Sequence, residues 1–327
     1  MKFLTGLLLV LLIAGGLLVY IFLAPYGPST ETFVDIPAHS GTPRIAAQLK
    51  QTGMIRSRYA FELLRLIKGG TLHPGEYRFD HKAPLAQVYA RIARGDIYTR
   101  ALVIPEGYNI FDIAQAVEKA GLGSRADFLA AERQHTELIA DLAPHATSLE
   151  GYLFPATYSF SPHAAPVQML TAMVHRFRQA AAKLGLQDNV ARTVIMASLI
   201  EKEVSQDTER PIVAGVFQNR LVKNMALETD PAVVYAALLE DRYRGTIYLS
   251  DLRSPSPYNT YKHPGLPPGP ICNPGIAAFQ AALHPTQTDF IYFVSDAAGH
   301  TRFSVDLKEH EQQVAAYREA IHAGGQR

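Results

Sequence analysis

The sequence predicts an α+β protein with an N-terminal transmembrane helix, a region of small repeated α+β modules, and a mainly helical α+β domain that closes the chain. Three observations predict it: a 21-residue uncharged run at the start, a strand-and-helix pattern repeated at an offset of 68 positions, and a succession of helical periodicities after an aromatic, proline-rich stretch.

The run Phe3–Leu23 contains no charge, and as a helix it is about 32 Å long against a hydrocarbon core of ~30 Å. It ends in Leu23-Ala24-Pro25-Tyr26, which offers no small-x-small cleavage site. Lys2 precedes the run and the acidic Glu31 follows it, so residues 1–2 are expected in the cytoplasm and everything after the span outside.

Val34-Asp35-Ile36-Pro37 and Leu102-Val103-Ile104-Pro105 open the two copies of the repeat. At the same offset Ile45 meets Ile113, Leu49 meets Val117 and Gly53 meets Gly121. Each copy reads as a short strand stopped by proline, a turn, and an amphipathic helix ended by glycine. Between them, Tyr59–Ile67 predicts a helix, Gly75–Phe79 a strand and Leu85–Ala93 a helix, so residues 32–140 form the modular region. Residues 145–327 form the second domain. Its expected helices are Pro166–Leu184, Asn189–Ser205, Glu209–Asn224, Pro231–Glu240, Ile276–Leu283 and Leu307–Ala323, with strands at Phe290–Val294 and near Phe303. Ser254–Pro274 predicts a long loop dense in proline, glycine and tyrosine, a type of segment that often carries function.

Thirty-one basic residues against thirty acidic ones, with no basic run among aromatics, give no footprint for nucleic acid. A single cysteine, Cys272, rules out an internal disulfide and a cysteine-based metal site. The sequence His310-Glu311 lacks the second histidine of a zinc-protease helix, and no P-loop, dinucleotide fingerprint or nucleophile elbow occurs, so neither metal nor cofactor is expected.

The apolar helix Val194–Ile200 runs into Glu201-Lys202-Glu203. At 100° per residue the two carboxylates point about 160° apart, so they cannot pair across one cleft. One of them at the mouth of an apolar pocket would have a raised pKa suited to general-acid work; equally, the segment reads as a buried helix emerging into solvent.

Several motifs together resemble the endolytic murein transglycosylases, the MltG or YceG-like family. They are Met196-Ala197-Ser198-Leu199-Ile200-Glu201-Lys202-Glu203, Phe217-Gln218-Asn219-Arg220-Leu221, Thr229-Asp230-Pro231 with Tyr235, Tyr258-Asn259-Thr260-Tyr261, Gly265–Ile271, Asn273-Pro274-Gly275 and His284-Pro285. The resemblance covers essentially the whole chain. It implies an inner-membrane enzyme with a periplasmic catalytic domain, cutting peptidoglycan between N-acetylmuramic acid and N-acetylglucosamine and leaving a 1,6-anhydro end. It also implies LysM-like modules after the anchor, glycan strands and the membrane as partners, and peptidoglycan synthases as neighbours. The catalytic acid maps to Glu203. Asn219, Asp230 and Tyr235 are carried over as substrate-binding residues, and Tyr258, Asn259 and Tyr261 suit a sugar-lined groove. Glu228 departs from the family's usual glutamine before Thr-Asp-Pro, which adds a second carboxylate near the site. Two alternatives stay open: a noncatalytic peptidoglycan-binding scaffold, and a hydrolase using Glu228 as its second carboxylate.

Overall fold

The computed structural model describes residues 2–296 and 300–324, the side chains at positions 2–4, 7, 10, 18 and 321–324 lying outside that description. The chain divides into two compact units, Met1–Ala101 with Ser159–His163, and Leu102–Tyr158 with Ala164–Arg327.

The first unit runs α1 (Lys2–Leu23), β1 (Thr32–Ile36), α2 (Thr42–Gln51), α3 (Arg58–Lys68), β2 (Gly75–Phe79) and α4 (Leu85–Arg94). β1 and β2 pair antiparallel with Val34 opposite Tyr77, so the alternation that buries Val34 and Ile36 also turns Tyr77 and Phe79 inward. Ile45 and Leu49 of α2, Phe61 and Leu64 of α3, and Val88 and Ile92 of α4 close this core. Each helix carries its own punctuation. The Ser57 hydroxyl accepts from the Ala60 amide at the start of α3, and Gly95 ends α4 in the left-handed conformation at φ 69°.

Then follow β3 (Arg100–Ile104), α5 (Ile110–Lys119), α6 (Arg125–Gln134), a 3₁₀ turn at Thr136–Ile139, and β4 (Ala156–Phe160), which pairs with β3. The repeat is therefore structural. β1 and α2 recur as β3 and α5 with every boundary displaced by 68 residues, and the buried sets Ile45, Ala46, Leu49 and Ile113, Ala114, Val117 coincide at that offset. Each copy is a strand, two helices and a returning strand. The second copy lies largely in the larger unit, whereas the sequence placed both in one region. Buried polar bonds hold it there: the Glu150 carboxylate accepts from the Ile110 amide, and the Asn273 side chain donates to the Tyr108 carbonyl.

The rest of the larger unit is α7 (Pro166–Lys183), α8 (Val190–Glu203), α9 (Arg210–Val222), α10 (Asp230–Leu239), α11 (Leu249–Leu252), α12 (Ile276–Leu283), β5 (Tyr292–Ser295), β6 (Thr301–Ser304) and α13 (Leu307–Gly324). β5 and β6 form an antiparallel hairpin. α8 is central: Val194, Ala197, Ser198, Leu199 and Ile200 have no exposed surface, and the helix packs against both α9 and α12. Residues 253–275 contain neither helix nor strand, the long loop expected from the sequence.

Among the described residues no helix is long and apolar enough to cross a membrane. The span expected over Phe3–Leu23 includes side chains outside that description. Its backbone is helical throughout, and Leu8, Leu11, Leu12, Ile13 and Leu17 stand exposed along it.

Candidate active site

The last turn of α8 sends its two glutamates in opposite directions. Glu201 turns inward. Its Oε2 lies 2.9 Å from the Arg210 guanidinium, an ion contact rather than an aligned hydrogen bond, and accepts from the Gly275 amide at 3.0 Å. Both charged side chains are only 6% exposed. A Cβ at Gly275 would stand 2.0 Å from the Glu106 carboxyl, so any side chain there would displace that carboxyl. Burial, and then the Glu201 charge, raise the Glu106 pKa.

Glu203 faces a separate cleft of about 520 Å³ that it shares with Arg220, Glu228, Asp230, Tyr261 and His310. Desolvation, followed by the Asp230 charge, pushes its carboxyl up to about 8, with Arg220 opposing. Such a group holds its proton at neutral pH and can still release it, which general-acid chemistry requires.

Two stitched loops build one wall of the cleft. The Glu228 amide donates to the Thr260 carbonyl at 3.2 Å, and the Thr229 amide donates to the Thr260 hydroxyl at 2.9 Å. Glu228 itself is left-handed at φ 53°, an uncommon conformation for a glutamate, and its Oε2 accepts from Arg220 at 3.1 Å. Arg220 is fixed in turn by the carbonyls of Ala226, Leu227 and Ile291. The Tyr261 hydroxyl donates to Asp230 at 2.7 Å, leaving the tyrosine ring along the cleft. The opposite wall comes from the β5–β6 hairpin and α13. There His310 stacks on Tyr292 with centroids 5.1 Å apart, and burial and then Arg220 hold its pKa below the usual histidine value.

The remaining residues singled out in the sequence lie elsewhere. Asn219 donates to the Thr288 and Phe290 carbonyls, bracing α9 against the approach to β5. Asn259 is wholly buried and donates to the Leu252 and Ser254 carbonyls while accepting from the Tyr261 amide, so it shapes the loop that presents Tyr261. Tyr235 is buried, packs edge-on to Tyr258 at 5.2 Å and bonds the Glu150 carboxyl. Tyr258 lines a second cavity of about 410 Å³ with Pro257, Pro268, Pro270 and Ile195. The structure thus gathers Glu203, Glu228, Asp230 and Tyr261 at one cleft, sets Asn219 and Asn259 to brace the segments beside it, and places Tyr235 and Tyr258 at Glu150 and the second cavity. Cys272 is buried and its thiol points at the Ser198 carbonyl. Among the described residues no group of three or more histidine, cysteine, aspartate or glutamate side chains is arranged to hold a metal ion.

The sequence model of the YceG-like family matches residues 34–316, nearly the whole chain. The chain belongs to the YceG-like family. It is 34% identical over 331 residues to a protein of Bacillus subtilis (strain 168) named endolytic murein transglycosylase, covering 94% of this chain and 91% of that one. It is 29% identical to the protein of that name from Streptococcus pneumoniae serotype 2, covering 94% of this chain and 63% of the longer relative. Among solved structures, a yceG-like protein of Listeria monocytogenes superposes with a TM-score of 0.57 at 32% identity, covering 87% of this chain and 99% of that one.

In this YceG-like chain, sequence reasoning missed two groups at the cleft, Arg220 and His310, and one at the second cavity, Glu150. Arg220 had a usable signal: with Val213 and Phe217 it shares the buried face of α9, and a buried arginine requires partners. Glu150 lies in an apolar run, and burial pushes its carboxyl up to about 8. His310 carries no sequence signal, because its place in the cleft depends on how α13 folds back over the hairpin.

Proposed function

We propose that this chain is an endolytic peptidoglycan lytic transglycosylase, cleaving the N-acetylmuramic acid–N-acetylglucosamine bond with Glu203 as its acid. The relatives' name, endolytic murein transglycosylase, supports the substrate class. The observation that carries the reaction type is the pair of environments in one cleft. Glu203 is a desolvated carboxyl raised to about 8, whereas the other nearby carboxylates are engaged, Glu228 by Arg220 and Asp230 by Tyr261.

Glu203 donates its proton to the glycosidic oxygen as the C1–O bond breaks. The resulting carboxylate then takes the proton of the muramic acid C6 hydroxyl as O6 bonds to C1. The proton returns to Glu203, no water is consumed, and the products are a free 4-hydroxyl and a 1,6-anhydro end. A hydrolase would need a second, free carboxylate to activate water. Asp230, held by the Tyr261 hydroxyl, stands beside Glu203 at the cleft, and Tyr261 offers a ring face to the sugar.

On this reading α1 anchors the protein in the membrane with its N-terminus in the cytoplasm. The helical backbone over 22 residues and its exposed leucines support that, as does the clustering of charges outside the run. The two strand–helix–helix–strand copies correspond to the LysM-like region, and the larger unit carries the catalysis. An anchor holds the cleft near newly made strands and their synthases. Mass analysis of glycan strands digested by the purified protein tests the reaction: products lighter by one water, with anhydro ends, are expected. Reducing ends, or no cleavage, would overturn it.

A further inference from the structure

The two copies of the repeat differ on one surface. α3 and α6 are the second helices of the two copies, each opened by a serine cap, Ser57 and Ser124. Aligned on those serines, the outward positions Tyr59, Leu63, Leu66 and Ile67 of α3 correspond to Ala126, Ala130, Arg133 and Gln134 of α6, all exposed. The α3 residues are 66%, 45%, 82% and 70% exposed, a bare apolar stripe about 100° wide on a helix whose opposite face fills the core. One edge of the stripe is flanked by Glu62 and then by Arg58 and Arg65.

The location of α3 says what covers the stripe. The Arg56 guanidinium lies between the Tyr20 and Tyr26 rings, 4.2 and 4.6 Å from their centroids, and donates to the Ala24 carbonyl at 2.8 Å and the Pro25 carbonyl at 3.3 Å. Ile21 and Phe22 pack on the core of the first unit. α3 begins two residues after Arg56, so its first turn stands beside the end of the apolar helix, at the level of the two tyrosines. Tyrosines at that level mark the boundary between hydrocarbon and headgroups.

We infer that the outward face of α3 docks on the bilayer that holds α1, with Tyr59, Leu63, Leu66 and Ile67 entering the headgroup boundary and Arg58 and Arg65 on its flank meeting anionic lipid phosphates. The inference rests on the reading of α1 as a membrane anchor. The stripe has the composition of an interfacial helix, large apolar residues on one side and basic ones at the margin. α6, which follows no apolar helix, has no such stripe.

The absence of tryptophan makes the test direct. The full chain, carrying Leu66→Trp or Leu12→Trp as its only tryptophan, is reconstituted into phosphatidylglycerol–phosphatidylethanolamine vesicles with plain or brominated acyl chains. Leu66→Trp is expected to emit at shorter wavelength than in detergent and to lose about half its intensity to bromine, as for a ring within ~5–10 Å of the headgroup boundary. Equal intensity in plain and brominated vesicles, with Leu12→Trp quenched, overturns the docking while the anchor stands. An unquenched Leu12→Trp overturns the anchor and the docking with it. A blue shift that grows with protein concentration and ignores bromine assigns the stripe to a second copy of the chain and also overturns it.

Discussion

Two regions meet at the end of α8, one on each side of the helix, and each receives a glutamate from the same turn. On the Glu201 side the carboxylate is enclosed with Arg210 and the Gly275 amide, and both charges are paid for by partners. On the Glu203 side the carboxyl shares an open cleft with another acid, Asp230, and its pKa rises to about 8. Residue type is the same and separation along the chain is two. The difference teaches that chemistry here comes from what surrounds the carboxyl: a satisfied pair is structure, and a frustrated acid is a reagent.

The sharpest contrast is in activity. Glu203→Gln removes the proton and keeps the shape, so strand cleavage should fall by about 10²–10⁴ while the thermal midpoint stays unchanged. Glu201→Gln should do the reverse. It leaves the buried Arg210 with only the exposed Asp207 as counter-charge, at a cost of up to roughly 3–5 kcal/mol in urea unfolding, with much of the cleavage per folded molecule retained. Near wild-type cleavage by Glu203→Gln, or an unperturbed unfolding curve for Glu201→Gln, breaks the comparison.

pH sharpens it next. A carboxyl whose folded pKa is raised holds its proton until pH climbs through that value, so cleavage should persist at neutral pH and decline above about pH 8. Asp230→Asn removes the like charge that helps raise Glu203, and the alkaline limb should move to lower pH in the rate profile. Glu150 obeys the same sign in stability. Its proton-linked contribution is complete below the ordinary 4.5 and is lost as pH rises through about 8, so the unfolding midpoint should drop across that window, less steeply in Glu150→Gln.

The smallest effect is expected at Glu228. Its carboxylate is engaged by Arg220, so Glu228→Gln should leave anhydro ends dominant in mass spectra and change mainly the rate. A wild type that yields reducing ends, suppressed in Glu228→Gln, would make Glu228 a base for water.

Much of this is legible in the sequence. The repeat at 68 residues was readable because apolar periodicity and turn glycines are local signals, and Gly75–Phe79 and Leu85 were read to the residue as element starts. The divergence of Glu201 and Glu203 followed from helix geometry alone. α6 escaped because Arg125–Gln134 buries little beyond Phe128 and Glu132, which leaves weak periodicity. The supporting roles of Asn219 and Asn259 were invisible for a different reason. An asparagine that bonds distant carbonyls looks in sequence like one that bonds a sugar, and only the fold tells which carbonyls are near. Tyr258 shares that ambiguity, because a ring motif does not declare which of two cavities it lines, and Tyr235 is buried against it.

The Arg56 clamp has a mechanical consequence. The end of α1 is riveted to the rest of the first unit through Arg56, which holds the Ala24 and Pro25 carbonyls and the two tyrosine rings. On the proposed reading of α1 as an anchor, the first unit has no hinge of its own at that joint. Any tilt or rotation the helix adopts to match the thickness of its lipid is transmitted to that unit as a lever moves its load.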